Sequence, residues 1–484
     1  MRPQLLIGDV FANAARAVPT RTAVVHGTRS MDFATVESSA NRLGRRLAEL
    51  GVGRGHRVVS WCDTTIDAVP LFAALAKLGV TLIPLSGLLG PAELRNLIAL
   101  ASPDLVVADE AHRSSAGDLG TPAAGLEELL AESASSSAEP LPGPAPSGGD
   151  PHIVFFTSGS TGTPKGVVLS HETNYLRSHP GALVEPRGAM VCPYPLFHMG
   201  AWTIALQQWQ ARDAVVLVPP DASAICEAVA KWDARRLNCI PAVWRRILHE
   251  LDGAGARHPL AGLRFADTGT SATPPELLDA IAALVPGACL RVFYGSTEAG
   301  TVSCLEQRDM ARKPGSCGVS APGVEVDIGH DGEVLVRSTT LFDGYLDDEV
   351  ASAAALADGW FHTGDLGEID DEGYLRIVGR TGELIRTGGE SVSPSEVEAV
   401  LRRHPLVADV AVVGVPDSTW GEVVCAVIVP VGPAAPTVDE IRDHCRSQLA
   451  GFKHPRRLEM VDAIPRTPAT GQVQRRLLVE RLAA

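Results

Sequence analysis

The sequence predicts an α/β protein: a large N-terminal domain of αβ layers with mainly parallel sheets, followed by a small α+β C-terminal domain. Three observations predict it. Short apolar runs alternate with amphipathic stretches through the first three-quarters of the chain, the texture changes after about Gly379, and 484 residues exceed one ordinary core. The expected boundaries are 1–381 and 382–484.

Taken in order, Val36, Ala40, Leu43, Leu47 and Leu50 recur at four- and three-residue spacing, the signature of one helix face. Residues 57–61 and 105–107 read as strands, with helical stretches between them, which implies parallel pairing covered on both faces. Residues 133–150 are rich in Ser, Ala, Pro and Gly and read as a surface linker or mobile loop. In the C-terminal segment, Ser393, Pro394 and Glu396 predict an N-cap, a first-turn proline and a capping-box glutamate. Strands are expected at 407–415 and 423–431. A second capped helix opens at Thr437 and carries Ile441, Cys445 and Leu449.

Composition bounds the function. Hydrophobic residues make up 45% and charged residues 20%, as in a soluble globular protein. The net charge of -15 disfavours nucleic acid and anionic membrane surfaces as partners. Nine cysteines occur without a CxxC pair or metal-ligand spacing, so free thiols and a cytoplasmic location are expected. No signal-peptide pattern opens the chain, and no run approaches the roughly 18 apolar residues a membrane span needs. Of 42 basic residues, only Lys77, Lys165, Lys231, Lys313 and Lys453 are lysine.

The most informative stretch is an apolar run, 153–156, feeding Thr157-Ser158-Gly159-Ser160-Thr161-Gly162-Thr163-Pro164-Lys165-Gly166. Glycines let backbone N–H groups approach phosphate oxygens, hydroxyls add donors, and lysine adds charge. Proline before the lysine and glycine after it exclude a Walker A loop. The alternative is a flexible Ser/Gly connector. This loop resembles the phosphate loop of the adenylate-forming superfamily, which comprises acyl-CoA synthetases, luciferases and peptide-synthetase adenylation domains. Similar motifs follow in order along nearly the whole chain.

The resemblance implies roles. In Tyr294-Gly295-Ser296-Thr297-Glu298, the tyrosine would stack on adenine, Thr297 would bond the α-phosphate, and Glu298 would act in catalysis and hold magnesium. An ordinary polar turn is the alternative. Asp365, within His362-Thr363-Gly364-Asp365, would accept hydrogen bonds from both ribose hydroxyls, with Arg380 also near the ribose. Gly269, Thr270 and Ser271 stand where the family lines the adenine and acyl pocket. His198 takes the place of the aspartate that binds a substrate ammonium in amino-acid-activating domains, so a plain carboxylic acid is expected. His198 fits the acyl pocket and CoA channel, or a structural histidine, about equally well. Trp202, Val243 and Trp244 fit the acyl cavity or the core.

Family members rotate the small domain between two half-reactions. Gly382 stands at the hinge, and Gly388-Gly389-Glu390 resembles the loop facing the pantetheine tunnel. The final motif, 465–475, departs at one residue: the family's lysine is Gln472. That lysine's charge bridges carboxylate and α-phosphate during adenylation. Losing one such preorganised stabiliser costs about 10²–10³ in rate. Thiol attack on a ready-made acyl-adenylate depends instead on orientation.

The pattern is thus similar to the non-adenylating CoA ligases of platensimycin- and platencin-type diterpenoid biosynthesis. It implies acyl-AMP and CoA as ligands, a separate adenylating enzyme as supplier, a diterpenoid acid as acyl group, and Mg²⁺ for adenylation alone. A complete ligase using ATP and a non-catalytic adenylate-binding protein are the alternatives. A glutamine that is not the protein's native residue, or a charge supplied from elsewhere, would also account for position 472.

Overall fold

A computed structural model describes residues 5–158, 164–179, 187–253, 258–467 and 472–483. Packing divides the chain into two compact units. One comprises Met1–Arg312, Ala321–Val324 and Arg337–Phe361; the other comprises Lys313–Ser320, Glu325–Val336 and His362–Ala484. The smaller unit therefore takes in residues ahead of 382, because strands Glu333–Ser338, Phe361–Ile369 and Leu375–Arg380 form one continuous sheet.

The larger unit contains two sheets. In the first, Pro151–Ser158, Thr81–Pro84, Arg57–Trp61, Leu105–Ala108 and Ala123–Gly125 run parallel. Their β-branched, fully buried residues suit strands covered on both faces. Pro164–Ser170 and Gly344–Tyr345 add antiparallel strands at one edge. In the second, Cys289–Ser296, Phe265–Gly269, Arg236–Asn238, Met190–Cys192, Val215–Leu217 and Thr22–His26 are parallel neighbours in that order. Antiparallel strands Gly300–Glu306 and Arg29–Asp32 flank them. The expected class, α/β with mainly parallel sheets, is what the chain forms.

The helix read from Val36 onward spans Phe33–Glu49, capped by Asp32, whose carboxylate accepts from the Thr35 amide. Leu50 lies past its end and is exposed, so the apolar periodicity ran one residue too far. Residues 133–150 differ from a free linker. Arg45 donates to the carbonyls of Ser137, Glu139 and Pro140, and Asn41 to that of Ala138, so the helix surface holds the segment by its backbone.

In the smaller unit, strands Val407–Asp417 and Gly421–Pro430 pair along their whole length, with Arg457–Met460 parallel to the second. Apolar clusters cover both faces, one built with helices Pro394–Leu401 and Val438–Cys445, the other with helix Arg475–Ala483. The capping box at Thr437 and Glu440 forms as expected. The one expected at Ser393 does not: its hydroxyl donates to the Val378 carbonyl at 2.6 Å, and Glu396 pairs with Lys453. A closer carbonyl and a nearby ammonium outcompete the helix's own amides.

Candidate functional site

In the larger unit the candidate residues cluster where parallel strands end, the usual ligand side of such sheets. Gly269 lies opposite Phe293 in the ladder, and a Cβ there would sit 2.5 Å from the Phe293 carbonyl oxygen. Only glycine lets the strands align so closely. The next residue, Thr270, has φ 65°, rare for a β-branched side chain, and its hydroxyl donates to the Gly269 carbonyl at 2.6 Å. Ser271 follows, exposed. Tyr294 and Gly295 continue the adjacent strand, and a Cβ on Gly295 would fall 2.0 Å from the Gly300 carbonyl oxygen.

Thr297 and Glu298 form the turn between strands Cys289–Ser296 and Gly300–Glu306. A residue that sequence reasoning missed fixes this turn. Arg177, in the last turn of helix His171–Ser178, donates to the carbonyls of Thr297 (2.7 Å), Thr340 (2.6 Å) and Glu298. Burial draws its pKa down to about 9, leaving it charged at neutral pH. One guanidinium fork serves three carbonyls, a geometry lysine cannot supply.

Glu298 has a second partner. The Tyr345 hydroxyl donates to Glu298 Oε1 at 3.2 Å, and the Lys165 ammonium lies 4.6 Å from the Tyr345 ring centroid. Burial and the Glu298 charge raise the Tyr345 pKa, so the phenol stays a donor. Lys165 lies opposite Thr157 in the antiparallel pair of strands Pro151–Ser158 and Pro164–Ser170, with Ser158 next in the first strand. Gly159, Ser160, Thr161 and Gly162 lie outside the described residues. The Tyr345 side chain thus touches a cationic group with its ring face and an anionic one with its hydroxyl.

His198 stands at the N-cap of helix Met199–Gln210 without capping it, its ring against Phe197. Its Nε2 has no hydrogen-bond partner among the described residues, and burial lowers its pKa to about 4, so it is neutral at physiological pH. Trp202, Val243 and Trp244 are packed in the interior; the Trp244 indole donates to the Asp267 carbonyl at 3.0 Å.

The smaller unit carries the remaining candidates. Asp365 and Arg380 face each other across a ladder, and Arg380 Nε donates to Asp365 Oδ1 at 2.6 Å. Asp365 is buried, and Glu333 organises its approach by bonding His362 and accepting from the Gly364 amide. Gly382 is exposed in a one-turn helix, Thr381–Glu383. Gly388 and Gly389, with φ of 60° and 85°, make the two-residue turn of a hairpin that Glu390 continues. Trp420, 40% exposed, lies against Gly388, and the Arg456 guanidinium stacks 4.0 Å from its ring centroid. No local motif marks this pair, whose members stand 36 residues apart.

Gln472 is exposed at the base of a hairpin: its carbonyl accepts from the Thr467 amide (2.8 Å), and its amide donates to the Thr467 hydroxyl (3.1 Å). The neighbouring cations are committed within the same unit. Arg475 bonds Glu398 (2.6 Å), Glu383 (3.2 Å) and the Val412 carbonyl; Arg476 pairs with Glu480, Arg466 with Asp409, and Lys453 with Glu396. The other lysines are also engaged: Lys77 with Glu37 and Asn41, Lys313 with Asp370 and Glu372, and Lys231 with the Trp232 ring.

Known proteins resemble the chain along most of its length. Residues 11–346 match the AMP-binding enzyme family and 396–470 its C-terminal domain. The chain is 30% identical to a long-chain-fatty-acid–CoA ligase, FadD13, of Mycobacterium tuberculosis, over 99% of both chains. It is 31% identical to an indoleacetate–CoA ligase of Aromatoleum aromaticum, over 94% of each. The o-succinylbenzoate CoA synthetase of Bacillus subtilis, solved with its acyl-adenylate intermediate, superposes with a TM-score of 0.88 at 25% identity, covering 97% of both chains. The same enzyme has been solved with ATP and magnesium. Among the described residues, no helix is long and apolar enough to cross a membrane. The chain belongs to the AMP-binding enzyme family and is an acyl-CoA ligase of the adenylate-forming kind.

Proposed function

We propose that this ligase forms an acyl-CoA thioester from an acyl-adenylate and CoA, releasing AMP, and that its own adenylation half-reaction is weak or lost. One observation carries the proposal: Gln472 replaces the family's lysine, and Arg475, Arg476, Arg466 and Lys453 are each spent on a carboxylate of the same unit. The CoA sulfur attacks the acyl carbonyl, the bond from that carbon to the AMP phosphate oxygen breaks, and the thiol proton leaves to solvent. AMP takes the bonding pair and is a good leaving group, so this step depends chiefly on orienting the thiol against an already activated carbonyl.

The remaining residues support this chemistry. Tyr294 offers an aromatic face for adenine, Thr297 a hydroxyl for the α-phosphate, and Asp365 two oxygens for a ribose diol. Gly388 and Gly389 give the backbone close approach beside the Trp420–Arg456 shelf, which suits a planar, anionic part of CoA. No group of three or more His, Cys, Asp or Glu among the described residues could hold a metal alone. Glu298 fits magnesium held mainly by phosphate oxygens, which takes one or two carboxylates; that ion would serve adenylation. With neutral His198 in place of an aspartate, the acyl group is a carboxylic acid without an ammonium, and we place it among bulky diterpenoid acids. A separate enzyme would supply the adenylate, in the cytoplasm.

Two assays test the proposal. Acid-dependent pyrophosphate exchange, with ATP and magnesium, reports adenylation; synthetic acyl-AMP with CoA, followed by mass spectrometry, reports thioester formation. Activity in the second alone is expected. A complete ATP-dependent ligase is favoured by Lys165 and by the hydroxyl- and glycine-rich loop before it, and would be active in both. Silence in both would leave an adenylate-binding protein without catalysis.

A further inference from the structure

Seven buried side-chain polar atoms lack a hydrogen-bond partner among the described residues, and four of them belong to one group. These are His152 Nε2, His171 Nε2, Asn174 Oδ1 and Trp202 Nε1. His152 comes from strand Pro151–Ser158, His171 and Asn174 from helix His171–Ser178, and Trp202 from helix Met199–Gln210. The His152 ring centroid is 4.8 Å from that of His171 and 5.8 Å from that of Trp202. All four residues are at most 1% exposed.

Proton accounting shows what the group requires. The Ile7 amide donates to His171 Nδ1 at 3.3 Å, so in the neutral ring the proton is on Nε2. Burial drives both imidazoles toward that neutral form. The Asn174 amide nitrogen donates to His152 Nδ1 at 3.0 Å, which puts the His152 proton on Nε2 and leaves that N–H and the Asn174 Oδ1 acceptor unused. The Trp202 indole can only donate. Three donors and one acceptor are therefore left over, and one acceptor cannot serve three donors from different elements. A metal ion finds no free lone pair on His171, and an anion would face the carbonyl dipole of Asn174. Water both accepts and donates, and buried waters characteristically make about three such bonds.

We propose that His152, His171, Asn174 and Trp202 enclose an internal hydration site of one or two ordered water molecules. The site ties the strand that runs into the phosphate loop to the helix whose last turn bears Arg177, the residue holding Thr297 and Glu298. Hydration thereby contributes to the spacing between strand Pro151–Ser158 and the turn at Thr297 and Glu298.

A crystal structure of the full chain finer than about 1.8 Å tests this directly. The expected result is a water peak within hydrogen-bond distance of at least two of the four atoms. Rearranged side chains that satisfy one another with no water peak would overturn the proposal. In solution, ¹⁵N-histidine-labelled protein should show two neutral Nε2–H rings with cross-peaks to long-lived water. Asn174→Leu, which removes the acceptor, should abolish those cross-peaks. Their absence in the wild type, or persistence in a folded Asn174→Leu variant, would also overturn it.

Discussion

Replacing one carboxamide with an ammonium isolates the charge at position 472. Gln472→Lys should raise acid-dependent pyrophosphate exchange by about 10²–10³, while thioester formation from acyl-AMP stays within about twofold. An unchanged exchange rate would show that the lysine alone does not limit adenylation. Arg177 is a different kind of residue, acting through backbone carbonyls. Arg177→Leu and Arg177→Lys should both weaken AMP binding at least tenfold, about 1.4 kcal/mol, by calorimetry, because neither can fork to three carbonyls. Rescue by lysine would assign Arg177 a merely electrostatic part. Glu298, Asp365 and Gln472 could be singled out from the sequence because each lies in a contiguous motif. Arg177 and Tyr345 could not: Arg177 is 120 residues from Thr297, Tyr345 is 47 from Glu298, and nothing local marks either.

At the scale of elements, helix Arg475–Ala483 is anchored through its first residue. Arg475 joins Glu383, next to Gly382, to Glu398 on helix Pro394–Leu401. Glu398 keeps Arg402 and the Val412 amide when Arg475 is removed, so Arg475→Met should cost only about 2 kcal/mol. Hydrogen exchange should show lost protection concentrated in 475–483; uniform loss across the unit would refute a local anchor. Elements with a strong period were readable: strand Arg57–Trp61 and the capping box at Thr437 form where expected. The cap at Ser393 was not, because its competing acceptor, the Val378 carbonyl, comes from a different strand. Local rules hold until a tertiary partner offers a better bond.

The molecule as a whole holds several histidines neutral. His171 and His198 have pKa values of about 4, against 6.5 for a free side chain, both through burial. As pH falls, the unfolded chain takes up these protons first, near 6.5, and the folded chain only near 4. The stability they permit is thus full above about pH 6.5 and is lost progressively down to about pH 4. Urea unfolding across that window should show a decline of a few kcal/mol, and His171→Gln with His198→Gln should reduce it, leaving the part that buried His152 contributes. The α/β class was legible at this scale because alternation of apolar runs survives in the primary structure. Sheet order was not, since strands such as Thr22–His26 and Val215–Leu217 pair across nearly two hundred residues.

Few lysines, each already engaged, have a chemical corollary. An acyl-phosphate anhydride acylates free amines indiscriminately, whereas a guanidinium stays protonated and inert toward it. A chain in which arginine supplies most cations presents a waiting electrophile with little to modify. After prolonged incubation with acyl-AMP in the absence of CoA, peptide mapping should find sparse Nε-acylation. Heavy labelling at Lys165 or Lys453 would show that such self-protection fails.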